Sequence, residues 1–190
     1  MWIDIYNFDG TIFRGDSTRA FWLYCLRKKP ALAKHLPRQM GALAMMACKR
    51  WDLTRGKGAF LRFVRDIDLH GMAERFWAEP RTKRRIAPWF AKRDDALPTV
   101  IASASPEALL APVAREYGVQ HLVATRIDPQ TGALTAPNCK RDEKVRRIRE
   151  VLPGFKARAM YTDDRRADGP LLALAQQKYL VRRGKVKRLW

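Results

Sequence analysis

The sequence predicts an α/β fold. A mostly parallel sheet has its first strand separated from the others by an inserted, all-helical block. Three observations carry this reading. From Pro98 onward, short apolar runs alternate with helical stretches, which is the repeat of a parallel sheet with crossover helices. The apolar run Trp2-Ile3-Asp4-Ile5-Tyr6 must join that sheet, because a lone strand is not stable. Between the two lie about 80 residues with recurrent helical spacing and no convincing strand.

The elements follow in order. The first strand ends at the turn Asp9-Gly10-Thr11. Asp16-Ser17 reads as an N-cap for a helix over 18–27. Helical patterns continue over 31–48 and over 54–67, where Phe60, Phe63, Val64 and Ile67 share a face, and over the shorter stretches 71–77 and 81–90. Phe21, Trp22 and Tyr24 read as packing inside this block. Residues 99–102 form the next strand. Ser105 as N-cap and Pro106 in the first turn then open a helix that runs to Tyr117 and stops at Gly118. Residues 121–127 form a strand, 128–132 a turn and 133–135 its hairpin return. A helix over 142–152, a strand over 157–161, a helix over 168–175 and a last strand over 178–181 complete the sheet. The expected division is a core of 1–16 and 97–190, with a cap of 17–96. Residues 182–188 read as a solvated basic edge.

Composition narrows the class. The chain has 190 residues, 47% of them hydrophobic, which is too apolar for disorder and enough for one good core. Cys25, Cys48 and Cys139 form neither a disulfide framework nor a CxxC pair, so a reducing, cytoplasmic setting is expected. The first eight residues do not read as a signal peptide. The longest small, apolar run is 40–48, where a membrane span needs about 20 residues. The formal net charge is +19, from 38 basic and 19 acidic side chains. Residues 20–97 hold 18 basic and 7 acidic, and residues 98–190 hold 18 and 9, whereas residues 1–19 hold 2 and 3. Such charge favours nucleic acid, an anionic membrane surface or a phosphorylated ligand. No helix-turn-helix, RNA-recognition or zinc-finger signature is present, so no nucleic-acid partner is expected. A weak contact with anionic membrane is compatible with the basic C-terminal edge.

Ligands of open parallel sheets bind at the carboxyl ends of the strands. Those ends carry Asn7, Asp9 and Thr11 after the first strand, Ser103 after the second, Lys140 and Lys144 around the start of the 142–152 helix, and Asp163, Asp164 and Asp168 after the 157–161 strand. Acids beside oxygen donors suit Mg²⁺, and a lysine with a hydroxyl suits phosphate.

In this order and spacing the four motifs resemble the haloacid dehalogenase superfamily, in its phosphoserine-phosphatase-like branch with a helical cap after strand one. The family's D-x-D-G-T stands here as Asn7-Phe8-Asp9-Gly10-Thr11. Its Ser/Thr is Ser103, its lysine Lys144 with Lys140 as the alternative, and its acidic pair Asp163 or Asp164 with Asp168. The resemblance implies a Rossmann-like core and a small phosphorylated substrate. It also implies Mg²⁺-dependent phosphomonoester hydrolysis through an aspartyl-phosphate. In that scheme position 7 is the nucleophile and Asp9 the general acid/base. Thr11, Ser103 and Lys144 hold the phosphate. Asn7, the Asp9 main-chain carbonyl and Asp163 ligate the metal, with Asp168 in support. The departure is Asn7, since a neutral amide is a poor nucleophile. Either the chain is an inactivated variant of such an enzyme, or it is a relative that binds phosphate ligands without cleaving them.

Overall fold

The computed structural model describes residues 1–189. Strands β1 (Trp2–Tyr6), β2 (Thr99–Pro106), β3 (His121–Thr125), β4 (Lys156–Thr162), β5 (Ala175–Arg182) and β6 (Lys185–Arg188) form one sheet in the order β3-β2-β1-β4-β5-β6. The first five pair in parallel, and β6 adds antiparallel to β5. Six helices lie between β1 and β2: α1 (Ser17–Lys28), α2 (Leu36–Ala47), α3 (Leu53–Leu61), α4 (Leu69–Ala78), α5 (Pro80–Lys83) and α6 (Pro88–Ala91). Crossovers α7 (Glu107–Glu116), α8 (Asp142–Val151) and α9 (Gly169–Leu174) follow β2, β3 and β4. Among the described residues, no helix is long and apolar enough to cross a membrane.

Both faces of the central strands are covered, which explains their near-continuous apolar runs. Ile3 and Ile5 pack on one face with Val100, Met160, Ile148 and Leu171. Tyr6 and Ile101 belong to the opposite cluster, which takes in Phe13, Phe21, Phe76 and Trp77 from the loop and helical block and Leu109 and Leu110 from α7. The Trp77 indole donates to the Leu109 carbonyl at 2.7 Å in the buried layer. The helical block is therefore fastened to the sheet's α7 side and overhangs the carboxyl end of β1.

Several elements differ from the sequence reading. The helix expected over 31–48 starts as a 3₁₀ turn, Pro30–His35, and becomes α2 only at Leu36, with Pro37 in its first turn. The one expected over 54–67 ends α-helical geometry at Leu61 and finishes as 3₁₀. Residues 133–135 make no strand, and the hairpin reduces to a bridge between Ile127 and Leu134. Ser105 is not an N-cap. β2 continues through Pro106, which precedes α7 without a side-chain cap, and the Ser105 hydroxyl is used elsewhere. The expected last strand is longer, Ala175–Arg182, and is followed by another. Arg183 and Gly184 have φ of 50° and 78°, the two positive values of a tight hairpin turn, and return the basic edge as β6. Trp190 lies outside the described residues.

Arg147 locks the carboxyl side of β3 to α8. Its side chain is 2% exposed and donates to the Ala124 carbonyl and Glu143, each at 2.7 Å, and to the Pro137 carbonyl. Arg147→Ala leaves two main-chain carbonyls without this donor and opens a cavity. The expected cost is about 3 kcal/mol, read as a lower urea midpoint with an unchanged slope.

Candidate active site

The carboxyl ends of β1, β2 and β4 and the first turn of α8 converge. Asn7 extends β1 by one residue, its main-chain N–H donating to the Tyr161 carbonyl at 2.8 Å. Its side-chain amide is fully engaged. Nδ2 donates to Asp163 Oδ1 at 2.9 Å and to the Asp9 main-chain carbonyl at 3.0 Å, while Oδ1 accepts from Lys144 Nζ at 3.0 Å. The same ammonium reaches Asp168 Oδ1 at 2.7 Å, with the two side chains 4% and 1% exposed. Thr162 donates to the other Asp168 oxygen at 2.6 Å.

The turn after β1 brings Asp163 close. Gly10 has φ +75°, and a Cβ there would lie 2.0 Å from Asp163 Oδ2, so glycine serves both the backbone and the carboxylate. Thr11 Oγ1 donates to Asp163 Oδ1 at 3.1 Å. Asp164 turns away from Asn7: it accepts the main-chain N–H groups of Arg166 and Ala167 and caps its own loop. Lys140 is not at Asn7 either and lines a neighbouring cavity.

Asp9 sits in a separate clamp. Its Oδ1 accepts the Ser17 N–H at 2.7 Å, at the start of α1, and its Oδ2 accepts the Ser105 hydroxyl at 2.5 Å. The Ser17 and Thr18 hydroxyls lie 3.0 and 2.9 Å from Ser105 Oγ. Burial pushes the Asp9 carboxyl above the ordinary carboxylate range, against the opposing hydrogen bonds from Ser105 and Ser17. Ser103 is buried within β2, three residues before its end, and accepts the Ser105 N–H at 3.0 Å, which leaves its own proton free to donate. Asp16 caps α1 by accepting the Arg19 N–H at 2.8 Å.

Three participants were missed from sequence. Ser17 and Ser105 hold Asp9. Lys57, on α3, donates to the Ala104 carbonyl and to Asn138 Oδ1 at 3.2 Å, bringing a cation from the helical block to the end of β2. Burial pulls its ammonium down to about 8, with Asp9 and Asp16 opposing. A Ser-x-Ser at a strand end was the available signal for Ser105. Nothing local marks Lys57.

Among the described residues, no group of three or more His, Cys, Asp or Glu side chains is arranged to hold a metal ion. The oxygens around Asn7 are instead one carboxylate, one main-chain carbonyl and one amide. The Asn7 NH₂ group bridges Asp163 and the Asp9 carbonyl.

A sheet of this order, with these side chains at its strand ends and a helical block after β1, defines a hydrolase core. The chain belongs to the haloacid dehalogenase-like hydrolases, whose family model matches residues 5–173. Among individual proteins it is similar to CicA of Caulobacter vibrioides (strain NA1000 / CB15N). The two are 33% identical over 197 aligned positions, which cover 95% of this chain and 86% of the relative. Among solved structures, a Bordetella pertussis Tohama I protein of unknown function shares the fold with a TM-score of 0.77 at 20% identity, covering 93% of this chain and 88% of that one. A phosphoserine phosphohydrolase-like protein from Francisella tularensis subsp. tularensis SCHU S4 aligns with a TM-score of 0.58 at 15% identity, covering 94% and 86%. The fold is thus that of the phosphoserine-phosphatase-like branch.

Two outcomes follow from this geometry. Lys144→Met strips a buried carboxylate of its counter-ion and is expected to cost about 3–5 kcal/mol in urea unfolding. Adding Asp168→Asn should recover part of that loss, because an amide needs no counter-ion. The second concerns Asp9. A carboxyl whose folded pKa lies above its unfolded value makes the fold lose stability as pH rises through that interval. Asp9→Asn is therefore expected to raise the urea midpoint at neutral pH, with the gain vanishing below the ordinary value of 3.8.

Proposed function

We propose that this chain binds a phosphomonoester at the strand ends, in a site of the Mg²⁺-dependent phosphatase type, and that Asn7 withholds the covalent step. The observation that carries the reading is the convergence of Asn7, the Asp9 main-chain carbonyl, Lys144 and Asp163 from three segments at the carboxyl ends of the central strands. In this reading residues 17–96 cap a core of 1–16 and 97–190 and select the alcohol that enters. Lys144 and Ser103 donate to phosphate oxygens, Lys144 with a full positive charge, and Thr11 joins them once its hydroxyl leaves Asp163. Asp9, held by two serines and raised by burial, is suited to protonate the leaving oxygen and then to take a proton from water. A carboxylate at position 7 would attack phosphorus, which the amide does not do.

Mg²⁺ fits the donor set once the Asn7 amide turns over to present its oxygen. Asp163, the Asp9 main-chain carbonyl and Asn7 Oδ1 would then hold it, with Asp168 supporting through Lys144 and the remaining positions left to water and phosphate. When bound, the ion offsets the repulsion between carboxylate and phosphate. The cost of that turnover is the bond from Lys144 to Asn7 Oδ1.

The test is Asn7→Asp with Mg²⁺ and an aryl phosphate. Phosphate release is expected to rise on the order of 10³-fold or more over the Asn7 chain, the scale of nucleophile effects. Asp9→Asn in that background should lower kcat by about 10²–10⁴-fold. A folded Asn7→Asp protein without Mg²⁺-dependent release rules out the enzyme reading. If phosphate binding persists in that case, the chain is a non-catalytic binding relative.

A further inference from the structure

A cavity of about 440 Å³ opens onto Asp9 and Ser105 and extends between the first three helices of the block. Its two ends differ in chemistry. The inner end carries Lys57 and Lys140 beside the Asp9 clamp. The apolar part of the lining comes from these three helices, and Asp16, Thr18 and Arg19 add a polar stretch at the start of α1. Met40, Leu43 and Met46 are spaced three apart on α2, Leu53 and Phe60 flank Lys57 on α3, and Trp22 comes from α1. The indole is held as a rigid wall. Trp22 Nε1 donates to Gln39 Oε1 at 3.0 Å, and Gln39 Nε2 donates to the Phe60 carbonyl at 3.0 Å, which ties the three helices together. At the mouth, Met40, Leu43 and Leu53 are 60%, 44% and 54% exposed. Large apolar side chains thus line the approach to a polar, cationic end, within a block that holds 18 basic and 7 acidic residues over 20–97.

We propose that the ligand of this site is an amphiphile, a phosphomonoester whose alcohol carries an alkyl chain. The phosphate sits at the strand ends, Lys57 and Lys140 flank its ester oxygen, and the chain lies along the Trp22–Leu43–Phe60 wall. The proposal rests on the phosphomonoester reading above and adds the substrate class. A small polar alcohol would leave this wall facing water, whereas an alkyl chain covers it and gains from burial. In hydrolysis by a carboxylate-restored chain, the position-7 carboxylate bonds to phosphorus as the P–O bond to the alkyl oxygen breaks, the alcohol leaves with a proton from Asp9, and water then cleaves the acyl-phosphate. The products are the long-chain alcohol and inorganic phosphate.

The experiment is calorimetric titration of the full chain, Asn7 retained, with Mg²⁺. The ligands are inorganic phosphate, phosphoserine and a series of n-alkyl phosphates kept below their micelle concentrations. Affinity is expected to rise roughly three- to fourfold per methylene until the cavity is filled. Leu43→Glu, at an exposed position, should lower affinity for the long chains about tenfold or more and leave inorganic phosphate unchanged. A second arm offers the longest alkyl phosphate in phosphatidylcholine vesicles. Tighter binding there than to the monomer identifies a membrane lipid as the source, and weaker binding a soluble amphiphile, both in support of the alkyl chain. Affinity independent of chain length, with inorganic phosphate still bound, overturns the proposal and leaves the phosphomonoester reading standing. Failure to bind inorganic phosphate or any member of the series overturns both.

Discussion

The ammonium of Lys144 is the contact on which the site depends. It joins the end of β1, through Asn7, to the start of α9, through Asp168. Taking an ammonium and a carboxylate out of water costs several kcal/mol for each ion, and only close geometry with additional hydrogen bonds offsets it. Both conditions are met: the pair is 2.7 Å apart, and Thr162 satisfies the second Asp168 oxygen. α8 must consequently begin where it does. Arg147, three residues on, fixes the same face of the helix to the end of β3 and to the loop beyond it. Lys144 and Arg147 together convert a loose crossover into a rigid support for the strand ends.

The acids of the N-terminal stretch are divided among three tasks. Asp4 pairs with Arg158 inside the sheet, Asp16 caps α1, and Asp9 is clamped by Ser17 and Ser105 at the strand ends. The net positive charge therefore acts mostly at a distance. The contacts at the strand ends are nearly all neutral or paired.

Much of the architecture was legible because its signals are local. Strand, turn and helix alternate after Pro98, and Asp9-Gly10-Thr11 demands a tight turn. Asp163 and Lys144 sit at element boundaries where the sheet's handedness brings them together. What escaped depends on packing at long range. Ser105 before a proline has the chemistry of a helix cap, yet β2 runs on through Pro106 and turns that hydroxyl to Asp9. Lys57 lies in an otherwise ordinary stretch of α3, and only the docking of the helical block carries it to Ala104. Trp22 read as interior packing and does contact Phe60, but the same ring also walls a cavity beside Asp9. β6 was invisible because Lys and Arg do not favour strands by themselves. Pairing with β5 supplies what propensity does not.

That last strand has a consequence for how copies of the chain meet. An outermost strand presents unpaired N–H and C=O groups, an invitation to any second sheet. Every residue of β6 is exposed, and Lys185, Lys187 and Arg188 stand beside Arg182 and Arg183 in the preceding strand and turn. Two such edges approaching each other would bring rows of like charge within a few ångströms. Sheet-to-sheet polymerisation through this edge is thereby opposed by the strand's own side chains.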